Sequence, residues 1–239
     1  MPAIPERSTI TMIKRKITRS DIFIIVANLV PVYGVWFLGW SAVEVFIVYA
    51  LETIITGILT LLKLGVVTLY RKTDTWHNEG SSSRVSGLFF MFFFLLHFGF
   101  FIVVQTTLFS KSAGITPSVS GMFYFIFHLT EYINNNIAWM LGGFVISYLA
   151  TSFIPFLLKE EYKTISMMRL MFQPYGRVFI QQFTVILGSM FLSFGLGNAF
   201  VLVFAIAKLF FEVFVDFEEM MNKKMAEVEN PENKDTSQT

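Results

Sequence analysis

Six long runs of apolar residues alternate along the chain with shorter segments that carry most of the charged and polar side chains. The hydrocarbon core of a bilayer is about 30 Å thick, and a helix that rises about 1.5 Å per residue crosses it in about 20 residues. Each run has about this length and lacks the strict alternation of a barrel strand. We therefore predict six membrane-spanning helices, over Asp21–Gly39, Ser41–Lys63, Ser86–Thr107, Ile137–Leu158, Val178–Gly195 and Asn198–Asp216.

Basic residues collect on one predicted side of these spans. They lie in the N-terminal arm, in the connections after the second and fourth spans, and in the C-terminal tail. Short loops rich in Lys and Arg stay in the cytoplasm. The predicted fold class is therefore all-α, a polytopic transmembrane helical bundle with cytoplasmic termini (N-in/C-in). We divide the chain into a basic arm at 1–20, a six-helix transmembrane domain at 21–216 and a polar, partly disordered tail at 217–239.

Composition agrees with one membrane bundle and excludes several other classes of protein. The 239 residues are 54% hydrophobic and include 29 Phe, so a lipid bilayer is the expected partner. The net charge is +1, and the basic residues are too scattered to form the continuous face that nucleic acid requires. The chain has no Cys, which excludes disulfides and thiolate metal sites. We expect neither a metal nor a cofactor.

Three ionisable residues lie near the middle of predicted spans. They are Glu52 in the second, His97 in the third and Lys208 in the sixth, with Glu212 one turn from Lys208. An ionised side chain at mid-bilayer costs about 2.5 to 3.5 kcal/mol, so it needs a partner. We predict an ion pair of Glu52 and Lys208 in a polar seam that includes His97 and Glu212. Lys63, near the end of its span, is expected to reach the interface instead.

Two interpretations of this seam stay open. It is either a route for an ion or a substrate, or a contact that specifies which helices pack together. A second structural signal lies in the fourth span, where small residues recur four positions apart. They predict close packing against a neighbouring helix or a contact between copies of the chain, and they are Ala138, Gly142, Gly143 and Ser147.

The connections between spans give weaker signals. The cytoplasmic segment from Lys72 to Gly87 is polar and rich in Ser, which predicts a flexible linker. The outer connection at 108–136 is the longest and is aromatic in its second half. It predicts either a helix that covers the outer end of the bundle or a lid. At the start of the fifth span, Pro174, Tyr175 and Arg177 predict an interfacial anchor, with Arg177 placed to hold a lipid phosphate.

Two segments, Tyr33 to Gly57 and Gln173 to Gly188, resemble a family of multi-spanning, mostly prokaryotic membrane proteins classified only as a domain of unknown function. The matching positions are Tyr49, Glu52 and Gly57 in the second span and Pro174, Tyr175 and Arg177 at the start of the fifth. With Lys208, the resemblance extends over most of the chain. It implies a shared fold and a prokaryotic plasma-membrane location, but no activity.

The chain departs from that family pattern at three positions. Ala50 and Thr53 stand where the pattern more often has Trp and Asn, and Glu212 stands where Asp is usual. The resemblance therefore does not specify the partner of Glu52.

Motifs for enzymatic chemistry are absent from the sequence, which contains no H-E-x-x-H, no G-x-x-x-x-G-K-[ST] and no G-x-S-x-G. This favours a non-enzymatic role. The first functional hypothesis is a channel, transporter or membrane accessory protein that uses the midplane seam. The alternative is a membrane-embedded hydrolase or transferase that acts on lipid or peptide and depends on a Ser or His.

Overall fold

The computed structural model describes residues 19–78, 81–112, 124 and 127–214. The predicted tail at 217–239, and all of the predicted arm except Arg19 and Ser20, lie outside this range. The described helices are α1 (Arg19–Phe37), α2 (Ala42–Arg71), α3 (Gly87–Ser112), α4 (Leu129–Tyr132), α5 (Asn135–Tyr148), α6 (Ile154–Leu158), α7 (Met167–Phe172), α8 (Tyr175–Ser193) and α9 (Gly197–Phe214).

Each of the six predicted spans coincides with helical structure. The fourth is divided, because a π-helical segment at Leu149–Phe153 joins α5 to α6. Three helical segments are long and apolar enough to cross a membrane: Ala42–Arg71, Gly87–Leu108 and Asn135–Leu158. The chain is therefore mainly helical with three candidate membrane spans in its described part.

The start of α2 follows from a local sequence signal. The Ser41 hydroxyl accepts a hydrogen bond from the Glu44 backbone N–H, and the Glu44 carboxylate accepts one from the Ser41 N–H. This capping box satisfies two helix donors that would otherwise have no partner. The Asn134 side chain also donates to Glu44, which ties the start of α5 to the start of α2.

The segment from Lys72 to Gly87 corrects the all-α prediction. It forms an antiparallel hairpin of β1 (Thr73–Asn78) and β2 (Ser81–Ser86), with Asn78 opposite Ser81. One ring stabilises the hairpin against the bundle, since Trp76 contacts Phe89, Phe90 and Phe93 of α3. The flexible-linker prediction is therefore wrong, because these contacts order a segment whose composition is polar.

Two apolar clusters lie at opposite ends of α2. One joins the first half of α2 to α1, α5 and α9, and includes Val48, Tyr49 and Phe204. The other joins the second half of α2 to α3, α6 and α7, and includes Leu64 and Phe94. The long helix α2 is therefore the central element, and it carries polar residues to the space between α5, α6 and α7.

Candidate functional site: a polar cavity around Lys63

A cavity of about 580 Å³ lies beside the second half of α2. Its walls come from α2, from the π-helical segment and its two neighbouring helices, and from the chain that leads to α8. The lining residues are Thr56, Thr60, Lys63, Tyr148, Thr151, Ser152, Pro155, Phe156, Lys159, Glu161, Ile165, Arg169, Leu170, Gln173 and Pro174. Most of these side chains are polar, although two of the three candidate spans supply much of the wall.

Lys63 is the central charged residue of this cavity. It is only 3% exposed, and its ammonium donates a hydrogen bond of 2.7 Å to the Ser152 hydroxyl. The ammonium also lies over two aromatic rings, 5.4 Å from the centre of Tyr148 and 5.3 Å from that of Phe156. Cation–π contacts of this kind stabilise a desolvated cation by up to about 2 kcal/mol. These partners hold the ammonium inside the protein, and its reach to the membrane interface stays a prediction.

The π-helical segment explains how Ser152 reaches Lys63. Pro155 has no N–H group, so a regular helix could not complete its hydrogen-bond ladder through this residue. The Thr151 hydroxyl donates to the Ser147 carbonyl, 2.7 Å away, one turn earlier. The wider turn at Leu149–Phe153 re-aims the side chains in front of Pro155. Single-turn π segments of this kind are frequent at functional sites.

The cavity carries an excess of positive charge. Lys63, Lys159 and Arg169 line it, against one carboxylate, Glu161. The neighbouring Glu160 binds Lys163 outside the cavity lining, and this hydrogen bond raises the pKa of Lys163. Lys159 and Arg169 are exposed, so the cavity reaches the protein surface at this end.

One buried hydroxyl in the cavity wall has no hydrogen-bond partner within the described part of the chain. Thr56 is 4% exposed, and its Oγ1 atom is neither a donor nor an acceptor there. Buried hydroxyl groups in proteins are nearly always paired, so an orphan in a cavity wall points to water or a ligand as the partner. Thr56 lies on the same face of α2 as Lys63, seven residues earlier.

An ion pair of Arg71 and Asp74 fixes the part of the cavity wall that is formed by the chain around the start of α7. The Asp74 carboxylate accepts hydrogen bonds from the Arg71 guanidinium, at 3.1 Å, and from the Met167 backbone N–H, at 2.7 Å. Arg71 also donates to the Ile165 carbonyl. The hairpin therefore holds the segment before α7 and the start of α7 against the end of α2. Ile165 of that segment and Arg169 of α7 line the cavity.

The predicted midplane seam is described only in part. Glu52 is partly buried on α2, and the backbones of Lys208 and Glu212 lie on α9, which packs against α2. The side chains of Lys208 and Glu212 are outside the described part of the structure. The ion pair therefore stays a prediction.

His97 bonds to a different helix. Its Nδ1 atom lies 2.8 Å from the Tyr175 hydroxyl, and the two rings stack with centres 5.3 Å apart. This contact joins α3 to the start of α8. Pro174 is buried beside it and also lines the cavity, whereas the Arg177 side chain is outside the described part. The anchoring role of Pro174, Tyr175 and Arg177 stays a prediction.

The small-residue face of α5 is open. A methyl group added at Gly142 or Gly143 would meet no atom within 4 Å, and Ala138 and Ser147 are exposed. A contact between copies through this face stays a prediction. Within the described residues, no group of three or more His, Asp or Glu could hold a metal ion.

Sequence reasoning missed most of the cavity. It considered Lys63, near the end of its span, but it did not single out Ser152, Lys159 or Arg169. The available signal was Pro155 downstream of Thr151 and Ser152, which marks a disturbed turn with hydroxyl groups inside an apolar run.

Comparisons with known proteins identify the family but no activity. A family model described as "Family of unknown function (DUF6498)" matches residues 11–236. No curated protein and no solved structure matches the chain. The match covers nearly the whole sequence and confirms the resemblance to a domain of unknown function. The chain therefore belongs to this family of unknown function.

Proposed function

We propose that this protein is a multi-pass membrane transporter or channel whose substrate enters the cavity around Lys63 from the cytoplasm. The observation that carries the proposal is a lysine buried inside a candidate membrane span and facing a polar cavity of about 580 Å³. Ionisable residues at membrane depth are costly and mark solute pathways in many membrane proteins. Small-molecule sites commonly have volumes of about 300 to 1,000 Å³.

The proposal includes six spans with both termini in the cytoplasm of a prokaryotic cell. Helices α1, α8 and α9 coincide with the remaining predicted spans, and the distribution of basic residues supports this orientation. The hairpin, Lys159 and Arg169 then lie on the cytoplasmic side. Lys63 lies eight residues before the end of α2, about 12 Å along the helix axis, so the cavity enters the membrane from that side.

The Glu52–Lys208 pair is proposed as a second polar layer, deeper in the membrane. The Tyr49 and Phe204 rings are in edge contact with centres 4.4 Å apart. In a six-span topology α2 and α9 run parallel. Glu52, three residues after Tyr49, and Lys208, four residues after Phe204, therefore reach a similar depth. This ion pair lies closer to the outer face of the membrane than the cavity does. It is therefore suited to close the outer end of the cavity.

The hydrolase alternative has less support. Ser152 and Lys63 are within hydrogen-bond distance, as a serine nucleophile and a lysine base would be. A general base must accept a proton, whereas the two rings under the Lys63 ammonium suit its charged form. We therefore prefer a binding role for this lysine.

Passage of solute tests the proposal. The full chain, reconstituted into lipid vesicles, is placed in iso-osmotic solutions of small neutral and ionic solutes, and swelling is followed by light scattering. We expect swelling above that of empty vesicles with at least one solute, and a loss of that swelling in Lys63→Met. Gly65→Ala is a matched control on the same helix, since the added methyl would lie 3.8 Å from its nearest atom.

The swelling experiment also has a clear negative outcome. Rates equal to those of empty vesicles for every solute would contradict a transport role. Equal swelling in the unmodified chain and in Lys63→Met would show that solute does not pass through this cavity.

A further inference from the structure

We propose that the cavity binds a phosphate group, either as a free anion or as the headgroup of a lipid. This inference rests on the proposed function, because it names the class of substrate that the Lys63 cavity takes. Three cationic side chains and one carboxylate line the cavity. Their balance favours an occupant with negative charge and disfavours a cation, which would meet Lys63 at the inner end.

The donors come from separate elements. Lys63 belongs to α2, Lys159 follows α6, and Arg169 belongs to α7. A phosphate group presents several acceptor oxygens in different directions, so it can bond to donors that converge from different sides. A planar carboxylate has two oxygens and satisfies fewer of these donors at once. The number of donors in the lining and their origin in separate elements therefore favour phosphate over carboxylate.

Hydroxyl groups complete the inner end of the cavity. Ser152 accepts a hydrogen bond from Lys63, so its own hydroxyl proton is available to a ligand. The buried Thr56 hydroxyl has no partner within the described residues and lines the same cavity. A phosphate group has several oxygens, which would accept hydrogen bonds from these hydroxyls and from the ammonium. It would give the Thr56 hydroxyl a partner.

Both sources of a phosphate group are within reach. Lys159 and Arg169 are exposed, which allows a soluble anion to enter. They follow the candidate span that ends at Leu158, so they also lie where headgroups of the cytoplasmic leaflet would lie in the proposed topology. The cavity of about 580 Å³ is large enough for more than a bare phosphate ion.

The test measures thermal unfolding of the full purified chain with two probes. The first is potassium phosphate against potassium chloride at equal ionic strength in a neutral detergent. The second is nanodiscs of phosphatidylglycerol against nanodiscs of phosphatidylcholine. A ligand that binds only the folded state raises the unfolding temperature in a saturable way.

We expect a saturable rise of the unfolding temperature with phosphate or with phosphatidylglycerol. It should be lost in Lys63→Met, and its midpoint should shift by about tenfold or more in the double variant Lys159→Gln/Arg169→Gln. The matched control is Arg84→Gln/Lys111→Gln, which removes two exposed cations outside the cavity and should leave the rise unchanged. A rise with phosphatidylglycerol alone, with the same dependence on variants, identifies a lipid headgroup as the source.

Two results would overturn the inference. One is the absence of a saturable rise with either probe. The other is an equal rise in the double variant and in the control, which decides the matter even where Lys63→Met fails to fold. If these results accompany vesicle swelling that depends on Lys63, the phosphate inference alone fails and the transport proposal stands.

Discussion

A lysine enclosed between helices needs partners that replace the water it has lost. Lys63 has the Ser152 hydroxyl and the faces of Tyr148 and Phe156. A hydrogen bond to a charged group contributes about 1.5 to 3 kcal/mol, so the Ser152 hydroxyl stabilises the buried ammonium by an amount that can be measured. The π-helical segment before Pro155 is what brings this hydroxyl to the ammonium.

Ser152→Ala should therefore lower the free energy of unfolding by about 1 to 3 kcal/mol, because it removes a hydrogen-bond acceptor from a buried cation. The measurement is unfolding of the purified chain in mixed detergent. Thr151→Ala is the matched control. Within the described residues its hydroxyl bonds to the Ser147 carbonyl one turn earlier, and its side chain is exposed, so a change within about 0.5 kcal/mol is expected. Equal losses in the two variants would contradict the role given to Ser152.

At the level of elements, α2 and α3 pack closely because a glycine on each helix leaves room for a side chain of the other helix. A methyl group at Gly57 would lie 2.5 Å from the Phe98 ring, and one at Gly87 would lie 2.4 Å from the Thr68 hydroxyl oxygen. Both distances are shorter than atoms tolerate. The close approach keeps α2 beside α3 on one face, while a different face of α2 carries Thr56 and Lys63 to the cavity.

Gly57→Ala should destabilise the chain by about 1 to 3 kcal/mol, since Phe98 is buried and has to move. Gly65→Ala on the same helix should be neutral or stabilising by up to about 1 kcal/mol, because Ala favours a helix and no neighbour is displaced. The same unfolding measurement compares the two variants. A stabilising Gly57→Ala would contradict the packing of α2 against α3.

Elements were more predictable from the sequence than their contacts. Continuous apolar runs located six helical segments, because length and hydropathy alone decide such helices in a bilayer. The hairpin was missed because its order comes from Trp76 and Asp74 binding distant elements, which composition does not reveal. The cavity was missed for a related reason. Ser152 reaches Lys63 through the π-helical segment, and Arg169 joins the cavity lining only after the chain turns past Leu158.

At the level of the whole molecule, two apolar clusters lie along α2 and a polar cavity lies beside its second half. The sequence predicted that ionisable residues in the middle of predicted spans are the candidate functional residues. These residues are Glu52, His97 and Lys208. His97 bonds Tyr175, and Lys63 is the buried charged residue among those that line the cavity. The central claim is that this cavity lies within the membrane and is open to the cytoplasm.

Cysteine accessibility tests this claim most directly, because the chain has no Cys of its own. Single variants Thr60→Cys in the cavity wall, Ser83→Cys in the hairpin and Ile58→Cys on the apolar face of α2 are treated with a membrane-impermeant thiol reagent in oriented vesicles. We predict that Thr60→Cys and Ser83→Cys react only from the cytoplasmic side and that Ile58→Cys stays unreacted. Failure of Thr60→Cys to react from that side, while Ser83→Cys reacts, would contradict the account.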